Sequence, residues 1–171
     1  MRFAEKGRSM APPDGRQNRD ARAARQAADT GPLQGRVRIE TLPVTREFLP
    51  CKRLVEERGE LALIEDGMAI HHLGYFSLVR GKGCRGGHFH EKKTEHFYVV
   101  SGSLRLELAD PVTGEQAEVI LAEGQKAVVQ PGCAHRFRAE RTAQVIEYYE
   151  GCYDKEDDHP HDFDTARGRR C

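Results

Sequence analysis

The sequence predicts an all-β domain, either a small antiparallel β-barrel or a jelly roll. Short runs of β-branched, aromatic and leucine residues follow one another from Val37 onward, separated by glycine and proline turns. No run of useful length repeats its apolar residues with the period of an amphipathic helix. A chain of 171 residues is long enough to bury one substantial core, so we expect a single domain.

The composition divides the chain into three segments. Residues 1–36 contain almost no aliphatic side chains other than alanine, so burial cannot offset the entropy of ordering them. We therefore predict a disordered basic N-terminal arm there. Residues 37–150 carry the strand patterns and are predicted to form the barrel. Residues 151–171 are predicted to form an acidic C-terminal extension.

The first half of the predicted barrel contains three β-type runs before His88, at residues 37–41, 60–65 and 73–79. Pro50 suits the first position of a helical turn, so residues 50–57 are predicted to hold one. Four glycines between residues 81 and 87 give the backbone freedom at the entry to the strand that carries His88. The chain thus approaches this strand through a flexible turn.

The second half of the predicted barrel has clear strand patterns. Leucine occupies every second position from residue 104 to residue 108, with charged residues between, which predicts a half-buried strand. A turn at residues 110–114 leads into a returning strand, which makes a hairpin. The strands predicted after this turn lie at residues 117–121, 126–130, near 135, and 143–149.

Four side chains with metal-ligand chemistry fall in these strands. His88 and His90 are two positions apart, so on a strand they project from the same face. Glu95 opens the next apolar run, and a turn between the two runs would bring its carboxylate toward the histidines. His135 follows a second turn, Pro131-Gly132. Three imidazoles and one carboxylate suit one divalent transition metal ion, with Fe, Mn, Ni, Zn and Co all compatible.

Four further side chains are candidates for substrate binding or catalysis. Arg85 is suited to clamp a phosphate or carboxylate, although it can equally pair with a surface acid. Glu147 is a candidate catalytic base. Tyr98 is a candidate substrate contact and base, and His96 is a candidate base, although strand alternation turns both away from Glu95. The remaining histidines and lysines around the site are expected to lie in solvent: His71, His72, Lys92, Lys93, His159 and His161.

The spacing of the ligand-type residues resembles the two sequence motifs of the cupin superfamily. The first motif is matched by His88-x-His90, four residues, Glu95, six residues and Gly102. The second is matched by Gly124, five residues, Gln130-Pro131-Gly132, two residues and His135. The resemblance implies a cupin barrel whose metal ligands are His88, His90, Glu95 and His135.

A narrower resemblance, over residues 59–163, is to the sugar-nucleotide 3,4-ketoisomerases, which are cupins. It rests on short segments that include residues 75–76, 85–90, 101–103 and 153–157. In that family the paired histidines act as acid and base without a metal, which implies the same catalytic role for His88 and His90. The family usually lacks a carboxylate at the place of Glu95 and a ligand-like histidine at that of His135. Their presence here favours a metal.

These patterns predict an isomerase or epimerase that acts on a sugar or sugar nucleotide, with a metal ion that polarises a carbonyl as a Lewis acid. Two alternatives remain open. A mononuclear iron dioxygenase would use the open metal positions for oxygen. A non-catalytic cupin would bind a small molecule without converting it.

The overall charge excludes some classes of partner. The formal net charge is zero, from 27 basic and 27 acidic residues, which indicates neither nucleic acid nor an anionic membrane as a partner. No apolar stretch is long enough for a membrane span, and the N-terminus lacks a secretory signal, so a cytoplasmic location is expected. A homodimer is expected, because small jelly rolls expose sheet edges that a second copy covers.

Overall fold

The computed structural model describes residues 32–164, which contain ten β-strands and a short 3-10 turn at Lys155–Asp157. The strands are β1 (Val37–Thr41), β2 (Lys52–Glu56), β3 (Gly59–Leu63), β4 (His72–Leu78), β5 (Cys84–Phe89), β6 (Glu95–Ala109), β7 (Gln116–Ala122), β8 (Gln125–Val129), β9 (Ala134–Tyr149) and β10 (His159–Pro160). No α-helix lies in this part of the chain, which confirms the predicted all-β class. Within the same residues, no helix has the length and apolarity needed to cross a membrane.

Two long strands, β6 and β9, belong to both layers of the barrel. The first part of β6 pairs with β8 and with the last part of β9. This layer is extended by β1 beyond β8 and by β4 beyond β9. The second part of β6 pairs with β7 and with the first part of β9, and β5 and β10 extend this second layer. All of these pairings are antiparallel, and together they form a jelly-roll barrel.

Strand β6 passes from one layer to the other at Gly102. Its register against β9 shifts between Val99 and Leu104, and such irregularities bend a strand. The φ angle of Gly102 is 82°, in the left-handed region that favours glycine. A Cβ atom at this position would clash with the carbonyl group of Thr142 in β9. Glycine therefore allows the two strands to approach closely at the bend.

The core lies between the two layers. Leu104, Leu106 and Leu108 of β6 are at most 1% exposed, in agreement with the predicted alternation. Phe97 of β6 and Phe137 of β9 pack with their ring centroids 4.7 Å apart. Burial of each such side chain stabilises the fold by about 1.5–3 kcal/mol. This packing fixes the strands that carry the site.

The ends of the barrel include one wrong prediction. Residues 52–56 form strand β2 and pair with β3 in a separate two-stranded sheet, so the helical turn predicted there is wrong. Most of the predicted N-terminal arm, residues 1–31, lies outside the described residues, whereas Leu33 is buried in the core. The described part of the acidic extension adds β10 to the barrel and buries Phe163.

Candidate functional site

Strand β5 brings His88 next to His135 of β9. The two residues are a cross-strand pair, and their ring centroids lie 5.0 Å apart. The register of β5 shifts between Gly86 and His88, just before this pair. Gly86 permits the shift, because its φ is 82° and a Cβ atom would lie only 2.7 Å from the carbonyl oxygen of His135.

His90 and Glu95 complete the group from the connection between β5 and β6. The ring centroid of His90, just after the end of β5, lies 4.7 Å from that of His88. Glu95 is the first residue of β6 and is only 3% exposed. Its Oε1 lies 3.3 Å from Nε2 of His90, and its Oε2 lies 3.2 Å from Nε2 of His135. One carboxylate therefore lies between two imidazoles.

The structure gathers three of the four candidate ligands most tightly. One ligand atom from each of His88, His90 and Glu95 lies within 4.8 Å of the other two. His135 is outside this group of three, but it contacts the second oxygen of Glu95. An ion in contact with His88, His90 and Glu95 would thus have His135 beside its carboxylate ligand.

The outer ring nitrogens of His90 and His135 contact main-chain carbonyl groups. Nδ1 of His90 contacts the carbonyl oxygen of Asp157, and Nδ1 of His135 lies 3.3 Å from that of Cys133. A carbonyl oxygen only accepts hydrogen bonds, so in the neutral rings the proton is on Nδ1 and Nε2 carries a lone pair. Both inner nitrogens therefore present a lone pair on the side of Glu95.

The inner nitrogen of His90 provides a test of whether the residues fit a metal ion. Nε2 of His90 is buried, makes no hydrogen bond and faces the carboxylate of Glu95. Two atoms that both present lone pairs repel each other unless a proton or a cation lies between them. The donor set of imidazole nitrogens and one carboxylate oxygen suits a divalent transition metal ion. The residues therefore fit a metal ion.

The charges of the site centre on Glu95. Burial alone would raise the pKa of Glu95, but His90, His135 and Lys93 outweigh burial and lower the pKa to about 2. Burial lowers the pKa of His135 to about 4, so this ring is neutral at pH 7. Lys93 places Nζ 3.2 Å from Oε1 of Glu95 and 4.3 Å from the ring centroid of Tyr149. At neutral pH the site therefore holds an ionised carboxylate next to an ammonium group.

The two histidines of the first motif have pKa values shifted in opposite directions. Burial lowers the pKa of His88, although the nearby Asp158 carboxylate opposes this effect. Burial would also lower the pKa of His90, but the adjacent Glu95 carboxylate outweighs this effect and raises the pKa. The two rings therefore differ in their affinity for a proton although they lie side by side.

A cavity of about 230 Å³ opens beside the group. His88, Glu95 and His135 line it together with Arg85 and Glu147, and the apolar part of the wall includes Phe76, Phe97 and Phe137. Burial, followed by the charge of Glu95, raises the pKa of Glu147. Glu147 therefore holds a proton at higher pH than an ordinary glutamate, which suits a group that takes up and releases protons.

Comparison with known proteins identifies the domain. Residues 75–149 match the family model for the cupin domain, Cupin_2. These residues correspond to a cupin domain. The match runs from β4 to the end of β9, so it includes every ligand and substrate-contact residue predicted from the sequence. No curated protein matches the chain in sequence.

Solved structures with the same fold include sugar-nucleotide enzymes. A 3,4-ketoisomerase from Helicobacter canadensis has a TM-score of 0.60 at 16% identity, covering 75% of this chain and 92% of that one. QdtA, a sugar 3,4-ketoisomerase from Thermoanaerobacterium thermosaccharolyticum in complex with TDP, has a TM-score of 0.58 at 16% identity, and the match covers 76% of this chain and 90% of QdtA. A dTDP-4-dehydrorhamnose 3,5-epimerase from Sulfolobus tokodaii has a TM-score of 0.60 at 17% identity, and the match covers 78% of this chain and 81% of the epimerase. At these identities the likeness shows the shared fold alone.

Tyr98 and His72 lie in different positions relative to the cavity. Tyr98 is buried near Arg53 and is absent from the residues that line the cavity, in agreement with the strand alternation that turns it away from Glu95. His72, which was expected in solvent, stacks on Tyr149 with ring centroids 4.3 Å apart. Its Nε2 lies 4.0 Å from Oε1 of Glu147. His72 therefore borders the cavity wall.

Three residues next to the cupin site were missed by sequence reasoning. Lys93, expected in a solvated turn, has a side chain only 14% exposed and pairs with Glu95. Asp157 contributes the carbonyl group that His90 contacts, and Asp158 places Oδ1 2.8 Å from Nδ1 of His88. For Lys93 the available signal was its position two residues before Glu95. No local pattern links the two aspartates to histidines so distant in sequence.

Proposed function

We propose that this cupin domain is a metal-dependent isomerase or epimerase of a sugar or sugar nucleotide. The observation that carries the proposal is the cavity that Glu147 shares with His88, Glu95 and His135. A carboxylate with a raised pKa thus lies near a cluster of ligand-type atoms. Moving a proton next to a carbonyl requires a base and a way to stabilise negative charge, and this cavity offers both.

The residues of the site have separate parts in this reaction. A divalent ion held by His88, His90, Glu95 and His135 would supply Lewis-acid polarisation of the substrate carbonyl. Glu147 removes the proton from the carbon next to the carbonyl, and the C–H electron pair forms the enediolate of the sugar. In an isomerisation the proton returns to the former carbonyl carbon while a hydroxyl proton moves between the two oxygens. In an epimerisation a second acid protonates the original carbon from the opposite face.

The cavity size favours a single sugar ring as the buried part of the substrate. Its volume of about 230 Å³ is below the roughly 300–1,000 Å³ typical of pockets for drug-sized ligands. A nucleotide would therefore lie outside the cavity, where Arg85 is suited to bind a phosphate. Structures of QdtA were solved with TDP and with TDP-4-keto-6-deoxyglucose. A 4-keto-6-deoxy sugar nucleotide is accordingly the first substrate to test.

A metal-free isomerase is a second candidate, and Lys93 is the observation that favours it. Its Nζ lies 3.2 Å from Oε1 of Glu95 and supplies a positive charge where a divalent ion would otherwise do so. In this case His88 and His90 would transfer the protons as acid and base. The two candidates differ in the role of the histidines, not in the class of reaction.

Deuterium exchange tests the proposed reaction class. Incubation of the protein in D₂O with a 4-keto-6-deoxy sugar nucleotide should place deuterium on carbons next to the carbonyl, as followed by proton NMR. The exchange should be lost in Glu147→Gln. Absence of exchange in the parent protein with each of the five candidate metals, and without metal, would falsify both candidates. A saturable thermal shift without exchange would instead indicate a binding protein.

Elemental analysis separates the two candidates. Protein purified without added metal should contain about one divalent ion per chain, and His135→Ala should contain less. Absence of stoichiometric metal from a parent protein that catalyses exchange would favour the metal-free isomerase. Oxygen uptake that depends on ferrous iron, with no exchange, would point to a dioxygenase.

We also propose that the protein forms a homodimer through β4. Within residues 32–164, β9 is the only strand that pairs with β4, so the opposite edge of β4 lies open. Leu73 and Tyr75 on this strand are 70% and 62% exposed. Antiparallel pairing of two such edges gives a self-complementary, two-fold symmetric contact. Tyr75 also lines the cavity, so a second copy here would cover the cavity mouth.

A further inference from the structure

The end of the described chain lies across β5 and contacts both histidines of the first motif. We call residues 154–164 the C-terminal strap. Its strand β10 pairs with His88 and Phe89 of β5, and the main-chain N–H of His161 donates to the carbonyl of Gly87 at 2.8 Å. The side chain of Phe163 is buried against the barrel. The strap is therefore part of the folded domain, although the family match ends at residue 149.

Consecutive aspartates in the strap contact the two histidines in different ways. Asp157 contacts Nδ1 of His90 through its main-chain carbonyl, while its side chain accepts a hydrogen bond from the main-chain N–H of Glu91 at 2.8 Å. Asp158 uses its carboxylate, with Oδ1 2.8 Å from Nδ1 of His88. The side chain of Asp157 also places Oδ2 3.9 Å from Nδ1 of His90, farther than the main-chain carbonyl. The close contact to His88, in contrast, depends on a side chain that substitution can remove.

We propose that Asp158 is a positioning residue, which holds His88 with its proton on Nδ1 and its Nε2 free for the reaction in the cavity. A carboxylate oxygen accepts hydrogen bonds, so its closeness to Nδ1 selects the ring form with Nδ1–H. An acid that orients a histidine in this way also fixes the plane of the ring. Only the reaction assigned to Nε2 rests on the proposed function, whereas the ring form of His88 follows from its contact with Asp158.

The same arrangement serves both candidate mechanisms. If His88 is a metal ligand, the carboxylate raises the basicity of the ring and fixes its direction toward the ion. If His88 carries protons without a metal, the carboxylate keeps the accepting nitrogen facing the cavity, in the way that the third group of a catalytic triad orients its histidine. Asp158 itself does not touch the substrate in either case.

NMR of the full-length protein labelled with ¹⁵N tests the positioning directly. Two-bond proton–nitrogen spectra of the histidine rings report which nitrogen carries the proton. We expect His88 in the Nδ1–H form in the parent protein and a shift toward the Nε2–H form in Asp158→Ala. Asp158→Glu should restore most of the original form. The signals of His90 should stay unchanged, which would show that the strap remains docked.

Glu156→Ala is the matched control, because it removes an exposed acid from the strap two residues away. It should leave the His88 signals unchanged. An unchanged His88 ring form in Asp158→Ala would overturn the proposal, and so would an equal change in the Glu156 variant. Loss of the His90 contact in Asp158→Ala would also overturn it, because the aspartate would then only dock the strap.

A second measurement reports the functional consequence. If the parent protein binds a metal, Asp158→Ala should weaken its affinity for Zn²⁺ or Mn²⁺ about 10–100-fold, with Glu156→Ala unchanged. If it acts without a metal, kcat should fall while KM changes little. Loss of the Nδ1–H form together with unchanged affinity and kcat would refute the positioning role. A parent protein without exchange activity but with the expected NMR result would refute only the proposed function.

Discussion

Two neighbouring lysines show how strongly the environment of a single residue decides its role. Lys92 is exposed and pairs with Asp154 at 3.2 Å, whereas the side chain of Lys93 is largely buried and pairs with Glu95. Both residues lie in the same connection between β5 and β6. Only Lys93 places its charge next to the group of ligand-type atoms, so the pair provides a matched comparison.

Replacement of Lys93 by methionine should strengthen the binding of a divalent ion about tenfold or more. Two unit charges about 4 Å apart interact by about 4 kcal/mol near a protein surface, and this repulsion of the ion is removed. Methionine keeps an apolar stem over Tyr149. Calorimetric titration with Zn²⁺ or Mn²⁺ measures the change, with Lys92→Met as the control that stays at the parent value. Weaker binding by Lys93→Met would contradict the metal site.

The raised pKa of Glu147 should appear in the pH dependence of catalysis. A base must be ionised to accept a proton, so activity falls as pH decreases through the pKa of Glu147. Because burial and Glu95 raise that pKa, the fall should begin at higher pH than an ordinary glutamate would give. Glu147→Gln should lower kcat/KM about 10²–10⁴-fold, and the remaining activity should no longer fall at acidic pH in this way. If the glutamine variant shows the same fall in activity at acidic pH as the parent protein, Glu147 is not the base.

At the scale of elements, the bend of β6 depends on close approach of two strands. Gly102 and Gly114 both have positive φ angles, 82° and 75°. A Cβ atom would clash with β9 at Gly102, whereas it would meet nothing within 4 Å at Gly114. Substitution of these two glycines therefore separates backbone strain from steric overlap.

Gly114→Ala should destabilise the protein by about 1–3 kcal/mol through backbone strain alone. Gly102→Ala should destabilise it by clearly more, because the bend must also open to admit the methyl group. Urea unfolding followed by circular dichroism gives both free energies of unfolding. Equal losses in the two variants would mean that the contact between β6 and β9 at the bend contributes little.

The sequence predicted those elements whose signal is local. The alternating leucines of β6 were recognisable because one face of a strand meets the core. The grouping of His88, His90 and Glu95 follows from their spacing on two strands joined by a turn. Residues 52–56 were misassigned, because Pro50 is a local signal whereas β2 depends on its pairing with β3.

The missing parts of the site are long-range contacts. Asp157 and His90 are 67 residues apart. Residues 153–157 contribute to the resemblance to the 3,4-ketoisomerases, but nothing in that segment indicates which side chains its aspartates contact. Lys93 reads as a solvated turn residue until the fold places it against Glu95 and Tyr149. Such contacts follow from the path of the chain, which spacing alone does not determine.

At the scale of the whole molecule, the exposed edge of β4 should control the oligomeric state. Leu73→Glu puts a charge on the proposed contact and should convert a dimer into monomers, as measured by light scattering after gel filtration. Val112→Glu is the control, because Val112 is 90% exposed in the turn between β6 and β7. A parent protein that is monomeric at all accessible concentrations would contradict the dimer.

The C-terminal strap also determines when the site can form during synthesis. The four candidate ligands lie between residues 88 and 135, so they leave the ribosome before residues 157 and 158. The outer partners of His88 and His90 are therefore the last parts of the site to be synthesised. The arrangement around the two rings is complete only when the strap has joined the barrel.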